Sequence, residues 1–186
     1  MTVDPDDPGD KPSFIPADHL AAIGRIVNVW AALEFEIDRT TWRLAVVPNM
    51  VGACMTAQML SIQPKMRALI ALAELRGLGR ETIAKLNRFN SKDIGGLQEG
   101  RNRAVHDTRV IHAHSGVNRL QVTAQGTLVF GFNPEPVAEL HITRKKIEAV
   151  LRKFQGMRDN LIAELATLPE NSGRELLDIH SHGPAD

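Results

Sequence analysis

The stretch RNRAVHD, residues 101–107, marks the point where the sequence changes from a helical pattern to a strand pattern. Before it, apolar residues recur at three- and four-residue steps, which is typical of amphipathic helices. After it, apolar and polar residues alternate with a period of two, which is typical of half-buried strands. The stretch also places an arginine, an asparagine and a histidine at one helix end. It therefore bears on both the fold class and the candidate site.

Four helices are predicted before this change of pattern. The first begins near Asp18, a candidate N-cap, and Pro48 ends it; at about thirty residues it favours a bundle. Gly95-Gly96 lies inside the fourth helix and costs about 1 kcal/mol per glycine relative to alanine. No other loop signal accompanies these glycines, so we expect one helix there. The predicted ranges are 18–47, 49–60, 64–76 and 80–106.

Three strands and a last helix are predicted after Asp107. The strands are 108–114, 119–124 and 127–132, with turns at 115–118 and 125–126. Leu120, Val122 and Ala124 share one face of the second strand, and we expect this apolar face to lie on the helices. The last helix is predicted to run from Thr143, as N-cap, to Leu168.

The fold class expected from this order is mainly α. It is an antiparallel helical bundle with a small three-stranded antiparallel β-meander, residues 108–133, inserted before the last helix. We expect a single domain over residues 13–168. Residues 1–12 are rich in Asp and Pro and are expected to be disordered, and residues 169–186 form a polar, loose tail.

The charge balance and the cysteine content restrict the classes of function. The chain of 186 residues has 22 Lys and Arg against 22 Asp and Glu, so its formal net charge is zero. This argues against a protein that coats duplex DNA but leaves RNA binding at a local basic patch open. One cysteine, Cys54, excludes an intramolecular disulfide. Because neither a signal peptide nor a membrane-spanning stretch is present in the sequence, we expect a cytoplasmic protein.

The end of the fourth helix gathers the candidate site residues. Asn102 and His106 are four residues apart and therefore neighbours on one face, with Glu99 on nearly the same line. Arg101 belongs instead to the apolar side of the helix, where a buried arginine must be paired or must face a cavity or an interface. Two explanations are open: a pair with Glu34 across the bundle, or an open groove that receives an anion.

The sequence Arg101-Asn102-x-x-x-His106 resembles the signature of HEPN domains, in which an arginine and a polar residue precede a histidine. The earlier segment Trp30-x-x-Leu33-Glu34 is similar to the helix that precedes this signature in several uncharacterised bacterial HEPN-like proteins. The resemblance covers about residues 18–107 and 143–168. The chain departs from the pattern in two places, because Asp107 stands where a glycine is common and because the minimal helical form lacks the β-meander.

The resemblance implies a homodimeric helical bundle in which the two signatures meet in one composite cleft. Active HEPN members are metal-independent endoribonucleases, often toxins or antiviral effectors, and need no cofactor. Other members only bind nucleic acid, nucleotides or a partner protein. The implied roles are phosphate stabilisation for Arg101, proton transfer for His106 and orientation of the phosphate or imidazole for Asn102. Arg103 would add positive potential, and a cognate protein partner is a further expectation.

Structural explanations compete with this functional one. The helix dipole favours a histidine at a helix C-terminus by about 0.3–1 kcal/mol without any function. Glu99, Arg103 and Asp107 form a four-spaced series of charges that can pair on the outer face. A catalytically silent interaction protein or antitoxin-like module is therefore the alternative. A third hypothesis is a metal site on the strand histidines His112 and His114.

Overall fold

The computed structural model of the chain describes residues 15–112, 116–124 and 128–169. Within these residues the protein is mainly helical, with a small antiparallel sheet before the last helix, so the predicted fold class is confirmed. The elements are α1 (Ala17–Ala45), α2 (Asn49–Thr56), α3 (Ile62–Leu75), α4 (Arg80–Arg88), α5 (Gly95–His106), β1 (Arg109–His112), β2 (Gly116–Ala124), β3 (Leu128–Pro134) and α6 (Val137–Thr167). The predicted tail at 1–12, the end of the first predicted strand at His114 and most of the tail at 169–186 lie outside the described residues.

Helix α1 supplies the largest share of the core. Its residues Trp30, Leu33 and Ile37, spaced three and four apart, are buried, and the helix packs against α3, α5 and α6. Asp38 on the same helix forms an ion pair with Lys65 of α3 at 2.8 Å, and both residues are buried. The contact between α1 and α5 places the RNRAVHD stretch against the middle of α1.

The two predicted N-caps are wrong. Helix α1 begins after Pro16, and Asp18 lies in its first turn. Helix α6 begins after Pro136, about two turns earlier than predicted, and Thr143 lies inside it. Proline has a fixed φ near −65°, and Pro16 and Pro136 have φ of −53° and −67°. The polar residues that would mark a cap in sequence instead occupy helical positions.

A π-helical turn, Phe89–Ile94, joins α4 to α5 without a break. The prediction of one helix through Gly95-Gly96 is therefore confirmed in outline, although its geometry is irregular just before these glycines. Both ends of the turn are buried, at Phe89 and Ile94, and the Phe89 ring packs on Phe154 of α6. A wider turn keeps both side chains in the core where a regular helix would rotate one of them away.

Helices α1 and α3 end in the same way. After each helix one residue has positive φ, Val46 at 55° and Gly77 at 77°. The N–H of the following residue then donates to the carbonyl five positions earlier. The Val47 N–H donates to Trp42 at 3.2 Å, and the Leu78 N–H donates to Ala73 at 3.1 Å. This is the Schellman arrangement, which glycine adopts without strain and valine does not.

The sheet has the order β1-β2-β3 and is antiparallel throughout. Its register pairs Arg109 with Arg119 and Leu120 with Phe132. The first pair shares a face with Val117, which is 8% exposed, and the second pair shares the opposite face with Val122, which is 58% exposed.

The prediction that the apolar face of β2 lies on the helices is therefore wrong at its outer part. Val122 is exposed, and Phe132 is 45% exposed. The face with the arginines instead turns inward, because Arg109 and Glu135 form a buried ion pair and Arg109 contacts the end of α5. Charged residues that alternate with apolar ones mark a solvent face only when they lack a buried partner.

No helix in the described part of the chain combines the length and the apolar character that crossing a membrane requires.

Candidate functional site

The candidate site lies at the last turn of α5. The helix ends at His106, and Asp107 has extended backbone, with φ −69° and ψ 137°. Asn102 and His106 are exposed, and Arg101 is half-buried. The change from helix to strand that the sequence predicts thus leaves the histidine at an accessible helix end.

Arg101, Asn102 and His106 come together at this end. The Arg101 Nη1 donates a hydrogen bond to Asn102 Oδ1 at 3.1 Å. The same Nη1 lies 3.4 Å from His106 Nε2, which accepts its hydrogen when the imidazole is neutral and carries its proton on Nδ1. Asn102 therefore orients the guanidinium in this structure, where the sequence predicted that it would orient a phosphate or the imidazole.

Trp30 of α1 lies beneath the guanidinium of Arg101. The Arg101 Cζ is 5.7 Å from the centroid of the Trp30 ring, within the range of a cation–π contact. The Trp30 Nε1 donates to Glu34 Oε1 at 2.9 Å, which fixes the orientation of the indole. Glu34 thus acts on Arg101 through the ring, and no ion pair within 4.0 Å joins the two among the described residues.

Arg101 remains available for a further ligand in this arrangement. Its Nε is buried and has no hydrogen-bond partner among the described residues, so a ligand would have to bind the Nη groups. A guanidinium carries five N–H donors, and the contacts with Asn102 and His106 both use Nη1. The site therefore presents a positioned cation beside an exposed imidazole, a combination that can bind an anion and transfer a proton.

The charged residues around the site point in two directions, toward the outer face of α5 and toward the sheet. Arg103 bonds Glu99 on the outer face of α5, one of the two roles that the sequence left open for it. Asp107 lies on the side of the sheet, with its Oδ2 3.4 Å from Arg119 Nε. The charge of Arg103 is therefore balanced locally, and Arg101 is the cation beside His106.

A buried ion pair, Arg109 with Glu135, braces the end of α5. The Arg109 Nε lies 2.6 Å from Glu135 Oε2, and both side chains are 4% exposed. The Arg109 Nη groups also donate to the carbonyls of Ala104 at 2.7 Å and Asp107 at 3.0 Å. His19 Nε2 lies 2.9 Å from the Glu135 carbonyl, so α1 is tied to the same brace.

Sequence reasoning missed the brace and the role of Trp30. The Trp30–Glu34 pair carries a usable signal, because a buried tryptophan needs an acceptor and a glutamate four residues later can supply it. Glu135 stands between two prolines with no periodic pattern around it, and nothing in the sequence links it to Arg109.

The metal hypothesis gains no support from the geometry. Over the described ranges, no group of three or more His, Cys, Asp or Glu side chains is placed to hold a metal ion. His114 lies outside the described residues, as does the side chain of His112.

Comparisons of the chain with protein-family models, with curated proteins and with solved structures find no match.

Proposed function

We propose that the chain is a HEPN-like RNA-processing or RNA-binding protein whose site is formed by Arg101, Asn102 and His106. The observation that carries the proposal is the 3.4 Å contact between Arg101 Nη1 and His106 Nε2 at an accessible helix end. The contact brings together a cation that can bind the phosphate and a group that can accept the proton of the 2′-hydroxyl, two of the groups that cleavage of an RNA phosphodiester requires. The sequence resemblance to HEPN domains supports the same assignment.

The chemistry of the proposed reaction follows from these groups. When RNA binds, Arg101 turns its Nη1 from His106 Nε2 to the phosphate, and the freed Nε2 takes the proton of the 2′-hydroxyl while the 2′-oxygen attacks the adjacent phosphorus. The phosphorus–5′-oxygen bond breaks, and the products are a cyclic phosphate and a free 5′-hydroxyl. Arg101 binds the phosphoryl oxygens, whose negative charge increases in the transition state. The leaving 5′-oxygen needs a proton donor, which the second His106 of a homodimer would supply.

The test is an RNA cleavage assay in the presence of EDTA. We expect His106→Ala to lower the cleavage rate by about 10²–10⁴-fold through loss of proton transfer. Arg101→Lys keeps the charge but loses the planar donor geometry, and we expect a fall of about 10²-fold. Matched controls are His141→Ala on α6 and Arg103→Gln, whose charge is paired with Glu99. Intact RNA with the wild-type protein would exclude the nuclease.

A catalytically silent interaction module is the second candidate. Exposed apolar side chains on α2 favour it, because Met50 is 79% and Met55 is 52% exposed. Flexible methionines are common on surfaces that bind protein partners. In this case RNA would stay intact, and Met50→Lys would abolish the binding of a co-purifying partner while His106→Ala would not.

A further inference from the structure

A cleft between the second halves of α1 and α6 has the size and the charge of a ligand site. Its volume is about 630 Å³, and Arg39, Arg43 and Arg158 line it together with Glu36 and Asp159. Small-molecule sites in proteins usually measure about 300–1,000 Å³. The cleft is distinct from the site at Arg101, because Arg39 lies about 13 Å along α1 from Trp30 at the rise of an α-helix.

Both carboxylates in the cleft are engaged by one arginine. Arg158 Nη1 donates to Glu36 Oε2 at 2.5 Å, and Arg158 Nη2 donates to Asp159 Oδ1 at 2.8 Å. These hydrogen bonds, the one to Asp159 first and then the one to Glu36, raise the pKa of Arg158 above its ordinary value. Arg158 is thereby held in place with its positive charge balanced by the two carboxylates, and Glu36 and Asp159 are not partners for the other two arginines.

Arg39 and Arg43 have no carboxylate partner within 4.0 Å in the part of the chain that the structure describes. Both are exposed, and they stand four residues apart on one face of α1, where like charges repel. The dipole of α1 favours Arg43 in the last turn, but this effect fades before Arg39. The Arg39 guanidinium lies 5.8 Å from the Phe35 ring centroid, which orients it.

The same two arginines also line a neighbouring cavity of about 440 Å³ that reaches Trp42 and Pro48. The two cavities therefore adjoin at Arg39 and Arg43. On the α6 side the cleft is lined by Ile162, Ala163 and Ala166, which leave room beside the charged groups. A ligand with an anionic group and a less polar body matches this lining.

We propose that the cleft between α1 and α6 is a binding site for a phosphate group, held by Arg39 and Arg43, the two arginines of the cleft that lack a carboxylate partner in the described part of the chain. A nucleoside monophosphate has the size and the mixed polarity that the two adjoining cavities accept. A phosphate of single-stranded RNA carries the same chemistry. This site is independent of the proposed reaction at His106, and either can exist without the other.

The test is isothermal titration calorimetry at low ionic strength with inorganic phosphate, adenosine monophosphate, adenosine and a short single-stranded RNA. The RNA is titrated into the His106→Ala protein, so that cleavage cannot contribute. We expect adenosine monophosphate to bind and adenosine not to bind. Arg39→Gln and Arg43→Gln should each weaken binding about tenfold, as the loss of a charge-assisted hydrogen bond predicts.

The matched control is the double variant Arg25→Gln/Arg67→Gln, which removes two exposed helical arginines outside both cavities. It should leave binding unchanged, and thermal unfolding would show that all variants are folded. Binding of RNA alone, with the same dependence on Arg39 and Arg43, would assign the phosphate to nucleic acid. No binding of any phosphate compound, or equal weakening by the control pair, would overturn the proposal.

Discussion

Arg101 is accommodated in the fold without losing its positive charge. A half-buried guanidinium on a helix face would destabilise the fold if it were desolvated without partners. The ring of Trp30 stabilises the guanidinium through a cation–π contact, and Asn102 and His106 supply polar contacts at the surface. The arginine is thereby stabilised without a carboxylate that would cancel its charge, which keeps it suited to an anionic ligand.

Arg109 gives a prediction at the same scale. Arg109→Met leaves Glu135 buried without its main partner and uncaps the carbonyls of Ala104 and Asp107. We expect a loss of about 3–5 kcal/mol in the free energy of unfolding, measured by urea denaturation. Arg103→Met removes only an exposed pair and should cost less than about 0.5 kcal/mol. Equal losses in the two variants would show that the brace does not hold the end of α5.

Glu164 gives a prediction for the pH dependence of stability. Thr82 Oγ1 and the Gly79 N–H, both at 2.5 Å, donate to this carboxylate, so its pKa is lowered from 4.5. A lowered folded pKa gives stability that is present above about pH 4.5 and is lost as the pH falls through the folded pKa. We expect Glu164→Gln to cost about 0.5–1 kcal/mol at pH 7, because the partly solvated carboxylate caps α4.

The measurement is the difference in unfolding free energy between wild type and Glu164→Gln, followed from pH 7 to pH 3. This difference should shrink below about pH 4.5. Glu81, whose pKa is lowered by exposed Lys85, serves as the control, and Glu81→Gln should leave the stability unchanged. A difference for Glu164→Gln that stays constant with pH would contradict the capping role.

At the scale of elements, the sequence predicted the helices well because their burial follows a simple period. The apolar recurrence that predicts α1 and the continuous helix up to His106 depends on local spacing alone. The starts of α1 and α6 were placed wrongly, since Asp18 and Thr143 resemble caps in sequence while Pro16 and Pro136 hold those positions. The position of a helix cap depends on backbone angles, and the type of residue favours certain angles without fixing them.

The orientation of the sheet could not be predicted, because it depends on a contact between distant residues. Arg109 and Glu135 are far apart in sequence, and their ion pair turns the arginine face of β2 toward the helices. We expect Val117→Lys to cost about 3 kcal/mol or more and Val122→Lys less than about 0.5 kcal/mol. Urea denaturation of the two variants measures this, and the reverse order would mean that the predicted orientation is correct.

The two helix ends with positive φ yield another prediction for single elements. The positive φ of Val46 costs about 1–2 kcal/mol in strain, which Gly77 avoids in the same arrangement. We expect Val46→Asn to raise the unfolding free energy by about 1 kcal/mol, because asparagine tolerates this conformation. Gly77→Val should lower it by about 1–2 kcal/mol. Thermal unfolding of both variants is the check, and a destabilised Val46→Asn would contradict the assignment.

At the scale of the whole molecule, the sequence predicted which residues of α5 lie near one another in the candidate site, but it did not predict the contacts that they make. Helical spacing alone brings Asn102 and His106 together, whereas the position of Arg101 depends on Trp30 from another helix. Each chain supplies one histidine to the proposed reaction, which needs both a proton acceptor and a proton donor.

This requirement leads to a prediction about assembly. We expect a homodimer, with a mass in analytical ultracentrifugation of twice the 20.5 kDa of the chain. The proposed pairing places the Arg101 and His106 ends of the two copies next to each other. If the protein is a monomer at all concentrations used for the cleavage assay, the 5′-oxygen has no proton donor. This result would contradict the composite site.

The most direct measurement is the chemical nature of the RNA ends formed by the protein in EDTA. The proposed roles of Arg101 and His106 predict fragments that end in a 2′,3′-cyclic phosphate, with neighbouring fragments that begin with a 5′-hydroxyl. They also predict that His106→Ala produces neither. RNA left intact by the wild-type protein, or the same fragments from His106→Ala, would contradict the assignment of this helix end as a nuclease site.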